Sequence, residues 1–461
     1  MSRPLGADAS LRARRWDILV LGSALPGLVA AVRLARSGLR VLIAEEEAAA
    51  RTPALLREPF LLPGGFGTGA VDACLRAVGA PLIERRGLLH DEVAYQVLLP
   101  ETRAEFGAAP RTAQELVAWG LAKPEAAQAF VSTLERAAEA SLAHLLEGEM
   151  LRRGLRVLGR GVVPRRDPPL ALPPVPASLE EWLRVQLRGL SGLAESEPSP
   201  EAAVRLLGAG LLGAVRFPKP DDGLRGLLRR RLQALHAEFR TLGCPFQLVE
   251  LGAHPGLARL GPGDVWLGRA LVLNAPAACL GAALRHWEQD VPPFLDAPSP
   301  THRRLSLHLR ALREVVPEPL APRALLAGAV SERGPSVVTL AQHPSSRGSR
   351  FAELVATTII PDEPDQLEAA AALLDEAVRT LMPFSERRLK ASPLPPRPLW
   401  DDESAVLDPP AQSGWPEPLD IHVAGRRPLY HLPREPVAGV GVEGELVLGW
   451  RAGDLIAEEL A

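Results

Sequence analysis

The chain has 461 residues, which is enough for about three domains. Hydrophobic residues make up 47% and charged residues 23% of it, a composition typical of a soluble globular protein, so disorder over most of the chain is excluded. A formal net charge of −3 gives no reason to expect a nucleic acid as partner. The three cysteines lack CxxC spacing and predict neither a disulfide scaffold nor a cysteine zinc site, as expected in a reducing compartment.

The first apolar run, residues 18–32, is too short to span a membrane, since a spanning helix needs about 20 apolar residues. Arg12, Arg14 and Arg15 precede this run, as they would in a signal peptide. Asp17, however, sits where a signal peptide turns apolar, and we interpret the run as strand, turn and helix. The sequence therefore predicts a cytoplasmic protein and leaves open peripheral contact with a membrane surface.

The N-terminal segment carries the pattern of a nucleotide-binding unit. Residues 16–21 (WDILVL) form a β-type apolar run that stops at Gly22. Residues 28–36 have helical composition, and residues 40–44 (RVLIA) predict a second strand, closed by Glu45. This order of strand, glycine turn, helix, strand and acid is typical of the β-α-β unit that binds a dinucleotide.

The pyrophosphate of a dinucleotide would lie at the start of this helix, where free N–H groups and the helix dipole favour negative charge. The candidate pyrophosphate contacts are Gly22, Ser23, Ala24, Pro26 and Gly27. Glu45 is the candidate acceptor for the ribose hydroxyls, with Glu46 and Arg51 as further cofactor candidates. Because Ala24 stands at the middle glycine position, a βαβ crossover that binds nothing is the alternative.

The middle of the chain extends the pattern. In residues 221–249, apolar positions recur at helical spacing from Leu224 to Phe239 and predict a helix that ends at Leu242-Gly243. Residues 246–251 predict a strand after it. Residues 264–269 and 270–276 predict a pair of strands that returns to the nucleotide-binding unit.

The C-terminal segment, residues 429–456, predicts a strand, a loop containing Gly439, Gly441 and Gly444, and a final helix. Together with the N-terminal unit and residues 221–276, it resembles the phytoene-desaturase-like branch of the flavin-dependent, amine-oxidase-type oxidoreductases. The Rab GDP-dissociation inhibitors share that fold. The matching segments lie at the start, middle and end of the chain, so the resemblance covers most of its length.

The resemblance implies an α/β fold in which a Rossmann-like FAD/NAD(P)-binding domain is interleaved with an α+β substrate domain, a mixed sheet covered by helices. The implied dinucleotide-binding domain comprises residues 1–93, 221–291 and 419–461, and the implied substrate domain comprises residues 94–220 and 292–418. Alternating polarity over residues 304–309 predicts a half-buried strand in the substrate domain.

The resemblance also implies a function. It implies FAD as cofactor, with NAD(P) as an alternative, and hydride transfer to or from an isoprenoid or similar apolar substrate held in a tunnel. Val249 would lie near the adenine, and Gly441, Val442 and Glu443 near the flavin ring. No catalytic residue can be carried over, no metal site is predicted, and the oligomeric state is left open.

Three departures from the family concern the cofactor. Ala24 replaces a glycine, and the chain from Glu45 onward reads EEEAAARTP without the family's glycine pair, leaving only Arg51. Arg434 stands where the family has an aspartate that hydrogen-bonds the cofactor, and its alternatives are a phosphate contact or a solvated surface position. A second hypothesis is therefore a non-catalytic lipid- or protein-binding module, like the Rab inhibitors, that has lost tight FAD binding.

Two charged clusters are predicted to be solvated. Asp401, Asp402 and Glu403 follow Trp400 and predict an exposed loop between prolines. The arginines at positions 229–231 predict the solvent-facing side of a helix. The sequence contains no pattern of a nucleophilic hydrolase, a zinc protease or a P-loop.

Overall fold

A computed structural model describes residues 12–152, 172, 175–219, 223–261, 263–327, 337–345, 348–406, 418–423 and 428–461. The strands, in chain order, are β1 (Arg12–Arg15), β2 (Ile18–Leu21), β3 (Val41–Glu46), β4 (Leu89–Asp91), β5 (Val93–Leu98), β6 (Arg103–Gly107), β7 (Ala214–Arg216), β8 (Glu238–Leu242), β9 (Phe246–Leu251), β10 (His254–Arg259), β11 (Asp264–Leu267), β12 (Ala270–Leu273), β13 (His302–Leu312), β14 (Arg323–Ala327), β15 (Val337–His343), β16 (Phe351–Pro361), β17 (Leu389–Ala391), β18 (Ala405–Val406) and β19 (Leu429–His431).

The helices follow the same order along the chain. They are α1 (Leu25–Arg36), α2 (Glu47–Arg51), α3 (Gly69–Ala77), α4 (Leu82–Arg86), α5 (Ala109–Ala118), α6 (Pro124–Glu147), α7 (Ala177–Leu190), α8 (Pro200–Leu211), α9 (Leu224–Ala234), α10 (Ala277–His286), α11 (Leu367–Thr380) and α12 (Val442–Leu460). None of the helices formed by the described residues has the length and apolar character needed to cross a bilayer.

A parallel five-stranded sheet contains the N-terminal unit. Its strand order is β19-β12-β2-β3-β8, so its strands come from the start, the middle and the end of the chain. All four residues of β2 are buried, and α1 crosses from β2 to β3. The predicted β-α-β unit is confirmed, and the carboxyl ends of β2 and β12 bring its glycine loop beside the turn after β12.

A second, four-stranded sheet packs against the first in the order β1-β11-β10-β9. Its first strand lies just before the predicted N-terminal unit, and its residues Arg12 and Ala13 pair with Asp264 and Val265. Residues 1–11 lie outside the described part of the chain.

The segments predicted to form the substrate domain, called the substrate half below, contribute the strands of a mixed sheet whose main path is β17-β13-β16-β15-β14-β5-β6. The predicted alternation is confirmed in β13, where Arg303, Leu305, Leu307 and Leu309 are buried and the intervening residues are less so. The three leucines pack with α11 in one core. The opposite face of β13 is turned toward the interior cavity described below. This architecture confirms the predicted fold class, while the domain boundaries stay a prediction; the one at 220/221 falls outside the described residues.

One predicted helix is shorter than its spacing suggested. The periodicity predicted a helix as far as Phe239, but α9 ends at Ala234. His236 has a φ of 61°, a left-handed conformation that ends the helix. Phe239 belongs instead to β8, which pairs with β3 at the edge of the parallel sheet.

Candidate functional site

The glycine loop between β2 and α1 is held in shape by Asn274, which follows β12. The Asn274 side chain donates to the carbonyl oxygens of Gly22 (3.2 Å) and Ala24 (2.9 Å) and accepts the backbone N–H of Gly27 (2.8 Å). A Cβ at Gly27 would overlap the Asn274 side chain, and Gly22 has a φ of 106°, so both positions require glycine. The side-chain amide of Asn274 thus holds the loop in shape. It also accepts the N–H group of Gly27, one of those at the start of α1.

The carboxylate of Asp401 accepts another backbone N–H group of this loop, that of Ser23. Ser23 donates its backbone N–H to Asp401 Oδ1 (3.0 Å) and its hydroxyl to Oδ2 (2.7 Å). Asp401 is 1% exposed. Burial raises the pKa of Asp401 to about 6, although Arg57 and Ser23 oppose the shift. The Asp401 carboxylate therefore occupies part of the glycine-loop site predicted to bind a pyrophosphate.

Glu403 lies two residues beyond Asp401, between two arginines. Arg57 donates to one of its oxygens (2.5 Å) and Arg225 to the other (2.6 Å). Arg57 also donates to the Ser23 hydroxyl (2.9 Å) and Arg225 to the Ser23 carbonyl oxygen (2.8 Å). Burial alone would raise the pKa of Glu403, but Arg225 and Arg57 outweigh it and hold that pKa below its ordinary value. No sequence pattern indicates Arg57, and only its place in the first turn of a predicted helix could have indicated Arg225.

The stretch that carries these two acids, residues 399–403, is called the acidic segment below. Its backbone N–H groups at Leu399, Trp400 and Asp401 donate to the carboxylate of Glu46 at the end of β3 (2.7, 2.7 and 3.0 Å). Glu46, a predicted cofactor residue, thus fastens the acidic segment beside the glycine loop.

The predicted solvated loop at positions 401–403 is wrong. Asp401 and Asp402 are 1% and 2% exposed. Asp402 accepts hydrogen bonds from Arg303 (3.2 Å) and Arg397 (3.3 Å). Buried carboxylates are stable only when paired and hydrogen-bonded, and arginines from distant parts of the chain supply those partners here.

The predicted ribose acid is also paired. Glu45 is 3% exposed and forms an ion pair with Arg229 of α9. The guanidinium of Arg229 additionally lies over the ring of Phe239, 4.7 Å from its centroid. The prediction that Arg229 is simply solvated is therefore corrected.

Two other predicted cofactor residues lie elsewhere. Arg51 is an exposed residue of α2 that forms an ion pair with Glu47. Val249 is a residue of β9 and packs on Val265 and neighbouring residues of the four-stranded sheet. Neither residue lines the cavity described next.

The closing segment brings the remaining candidates to the cavity. Gly441, Val442 and Glu443 line it at the start of α12. Glu443 is 2% exposed, and its carboxylate lies 2.8 Å from the guanidinium of the equally buried Arg205. The resemblance would place Glu443 near a flavin ring. Here its carboxylate is paired with Arg205 of α8.

Arg434 is neither solvated nor free for a phosphate. Its guanidinium donates to Glu445 through Nε (2.9 Å) and Nη2 (2.6 Å), and to the carbonyl oxygen of Glu403 (2.9 Å). Glu445 raises the pKa of Arg434 against the effect of burial. Arg434 thus joins the acidic segment to α12.

A cavity of about 440 Å³ extends from the glycine loop to the open face of the substrate sheet. This volume is in the range of small-molecule sites. Apolar side chains from several elements form much of its wall, among them Leu25, Leu190, Leu206, Val355 and Val442. Within the described part of the chain, no group of three His, Cys, Asp or Glu side chains is placed to hold a metal ion.

The donors present do not fit a dinucleotide in this arrangement. A diphosphate needs the loop N–H groups and neighbouring cations, but Ser23 is bound to Asp401, and Arg57 and Arg225 are bound to Glu403. The ribose acid is paired as well. Two donors that a phosphate could use remain. The N–H groups of Ala24 and Leu25 have no hydrogen-bond partner among the described residues.

Comparison with solved structures identifies the fold. An oxidoreductase from Methanosarcina mazei superposes with a TM-score of 0.55 at 13% identity, over 95% of this chain and 99% of that one. A variant of putrescine oxidase gives 0.52 at 15% identity, over 97% and 100%. Cyclohexylamine oxidase from Brevibacterium oxydans gives 0.51 at 13% identity, over 96% and 99%. No protein-family model and no curated protein sequence matches the chain.

At these identities the comparison shows the fold alone. The chain has the FAD-binding oxidoreductase fold, as the resemblance predicted. The neighbours named above include two amine oxidases and no phytoene desaturase, so the narrower branch stays a prediction.

Proposed function

We propose that this chain is a small-molecule-binding protein built on the FAD-binding oxidoreductase fold, and that it holds an apolar ligand in its cavity without a dinucleotide. The observation that carries the proposal is the Asp401 carboxylate on the backbone N–H and hydroxyl of Ser23. It corresponds to the second of the two functions that the sequence left open.

Charge is the physical basis of the proposal. Asp401 and Glu403 bring carboxylates to the loop and to Arg57 and Arg225, the groups that would neutralise a diphosphate. Two like charges about 4 Å apart repel by about 4 kcal/mol at an effective dielectric constant of about 20. A diphosphate added beside the two acids would meet this repulsion and would also have to break the existing ion pairs.

The cavity itself supports a ligand of the kind that the family resemblance suggests. Its aliphatic wall suits a flexible apolar chain of isoprenoid type, since van der Waals contact and exclusion of water favour such a ligand without directional groups. Delivery of such a ligand from a membrane surface is part of this proposal.

The test is whether purified protein binds FAD. We expect a preparation without flavin absorption bands, and no heat of binding when FAD, NAD or NADP is titrated in. Two variants separate the causes. Ala24→Gly restores the family's loop and is expected to remain unable to bind, whereas Asp401→Asn/Glu403→Gln removes both charges and is expected to gain FAD affinity. Stoichiometric flavin in the unmodified protein, or recovery of binding by Ala24→Gly alone, overturns the proposal.

A second candidate is an FAD-dependent oxidoreductase resembling the phytoene desaturases, which transfers hydride to or from an isoprenoid. The free N–H groups of Ala24 and Leu25 favour it, because a phosphate oxygen could accept both. Bound FAD would supply the hydride chemistry. This function requires the acidic segment to leave the loop, and the same FAD titration decides between the two.

A further inference from the structure

Arg304 is a cation of the cavity without a partner. It lies on β13, opposite Ile359 of β16, on the sheet face that lines the cavity. Its side chain makes no hydrogen bond or ion pair with any residue that the structure describes. By contrast, Arg303, the preceding residue on the other face, is paired with Asp402.

The charges around Arg304 do not compensate it. Its nearest charged neighbours include Arg434, Glu445, Glu403 and Arg225, and these four are already bound to one another. Burial and the repulsion by Arg434 lower the pKa of Arg304, but a guanidinium starts so far above neutrality that it stays charged. Arg304 is only partly buried and lines the cavity, so an anion bound there would supply the pairing that the described residues do not.

The described residues next to Arg304 on the same sheet face are uncharged at pH 7. The hydroxyls of Ser306 and Thr357 bond to each other at 2.9 Å. Burial lowers the pKa of His343 to about 4, so this ring is neutral at pH 7. Val355 and Ile359 make the neighbouring surface apolar. The positive charge of Arg304 therefore adjoins neutral side chains, of which Val355 and Ile359 are apolar.

We propose that the ligand of this cavity is an amphipathic anion, whose apolar body lies along the face of β13, β15 and β16 and whose terminal carboxylate or phosphate binds the guanidinium of Arg304. The planar fork of a guanidinium matches two oxygens of either group. This inference rests on the proposed function and deepens it, because it names the class of ligand.

Binding of three probes of equal chain length tests the inference by isothermal titration calorimetry at pH 7.5. Dodecanoate and dodecyl phosphate carry the two acidic groups, and dodecan-1-ol is the neutral match. We expect the unmodified protein to bind at least one of the anions more tightly than the alcohol. The preferred anion distinguishes a carboxylate from a phosphate ligand.

Two variants locate the charge. Arg304→Gln is expected to weaken binding of the preferred anion by roughly 10- to 100-fold, the loss of a hydrogen-bonded charge, and to leave the alcohol unchanged. Arg310→Gln is the matched control, because Arg310 lies on the same face of β13 but is exposed and bound to Glu353. It is expected to bind like the unmodified protein, and thermal unfolding checks that both variants fold. Should Arg304→Gln not fold, Arg304→Lys keeps the charge without the fork and is expected to bind the anion several-fold more weakly.

Equal affinity for alcohol and anions, an unchanged Arg304→Gln variant, or no binding of either anion overturns the inference. The first two outcomes leave the proposed function intact, since an apolar ligand would still bind. Uptake of FAD in the earlier titration overturns the proposed function instead, so the two failures are distinguishable.

Discussion

Two properties of Asp401 determine how its carboxyl group titrates. It is a buried acid that accepts hydrogen bonds from Ser23, and burial raises its pKa to about 6. Ionisation of this carboxylate is therefore harder in the folded protein than in the unfolded chain. The free energy of unfolding must then fall as pH rises through the range in which Asp401 titrates.

We predict that the wild-type protein loses about 3 kcal/mol of stability relative to Asp401→Asn as pH rises from about 4 to above 6. The sign follows from the raised pKa. Below the ordinary value of 3.8, Asp401 is protonated in both states, and above about 6 it is ionised in both; between them only the folded state holds the proton. Urea unfolding of both proteins across this pH range measures the difference, and a difference that does not change with pH contradicts the assignment.

At the scale of elements, the contact between α1 and α12 shows how closely the chain packs around the glycine loop. A Cβ at Gly449 would collide with the carbonyl oxygen of Pro26, and one at Gly453 would press on Ala30 and Arg33. Two glycines one turn apart thus let the backbones of these helices approach each other.

We predict that Gly449→Ala lowers the free energy of unfolding by up to about 2 kcal/mol. Alanine gains about 1 kcal/mol of helix propensity, but overpacking costs about 1–3 kcal/mol, and the collision is with backbone that cannot move aside. Glu458→Ala, an exposed position of the same helix, is the control and is expected to change stability by less than about 0.5 kcal/mol. Chemical denaturation of both variants provides the measurement, and a Gly449→Ala protein more stable than wild type speaks against the packing argument.

The elements that sequence patterns predicted well are those with local signals. The β-α-β unit follows from two apolar runs, a glycine turn and a helical run, and the structure confirms it. The alternation in β13 was equally visible. The end of α9 was not, because the apolar spacing continues to Phe239 and only the left-handed conformation of His236 shows where the helix stops.

At the scale of the whole molecule, the acidic segment connects the two halves of the chain. It leads from the substrate half and is bound by Glu46 of the parallel sheet and by Ser23 of the glycine loop. Asp401 and Ser23 are 378 positions apart, so no local pattern could indicate their contact. Local sequence shows only acids flanked by prolines, which is why the segment was predicted to be solvated and why the site was predicted only in part.

We predict that Glu46→Ala loosens this connection. The backbone N–H groups of Trp400 and Asp401 lose a charged acceptor, and their hydrogen exchange should become roughly tenfold faster or more, together with that of Ser23. Glu47→Ala is the matched control, since the neighbouring Glu47 is exposed and bound only to Arg51 among the described residues. Mass spectrometry of exchanged peptides gives the rates; unchanged protection of residues 399–401 in Glu46→Ala would show that other contacts hold the segment.

The three hydrogen bonds of Asn274 have a consequence for biosynthesis. This side chain and Asp401 satisfy polar groups of the glycine loop with atoms of the polypeptide itself. Under the proposed function, folding needs no flavin, and the yield of folded protein is expected not to change with the riboflavin supply of the cell that makes it.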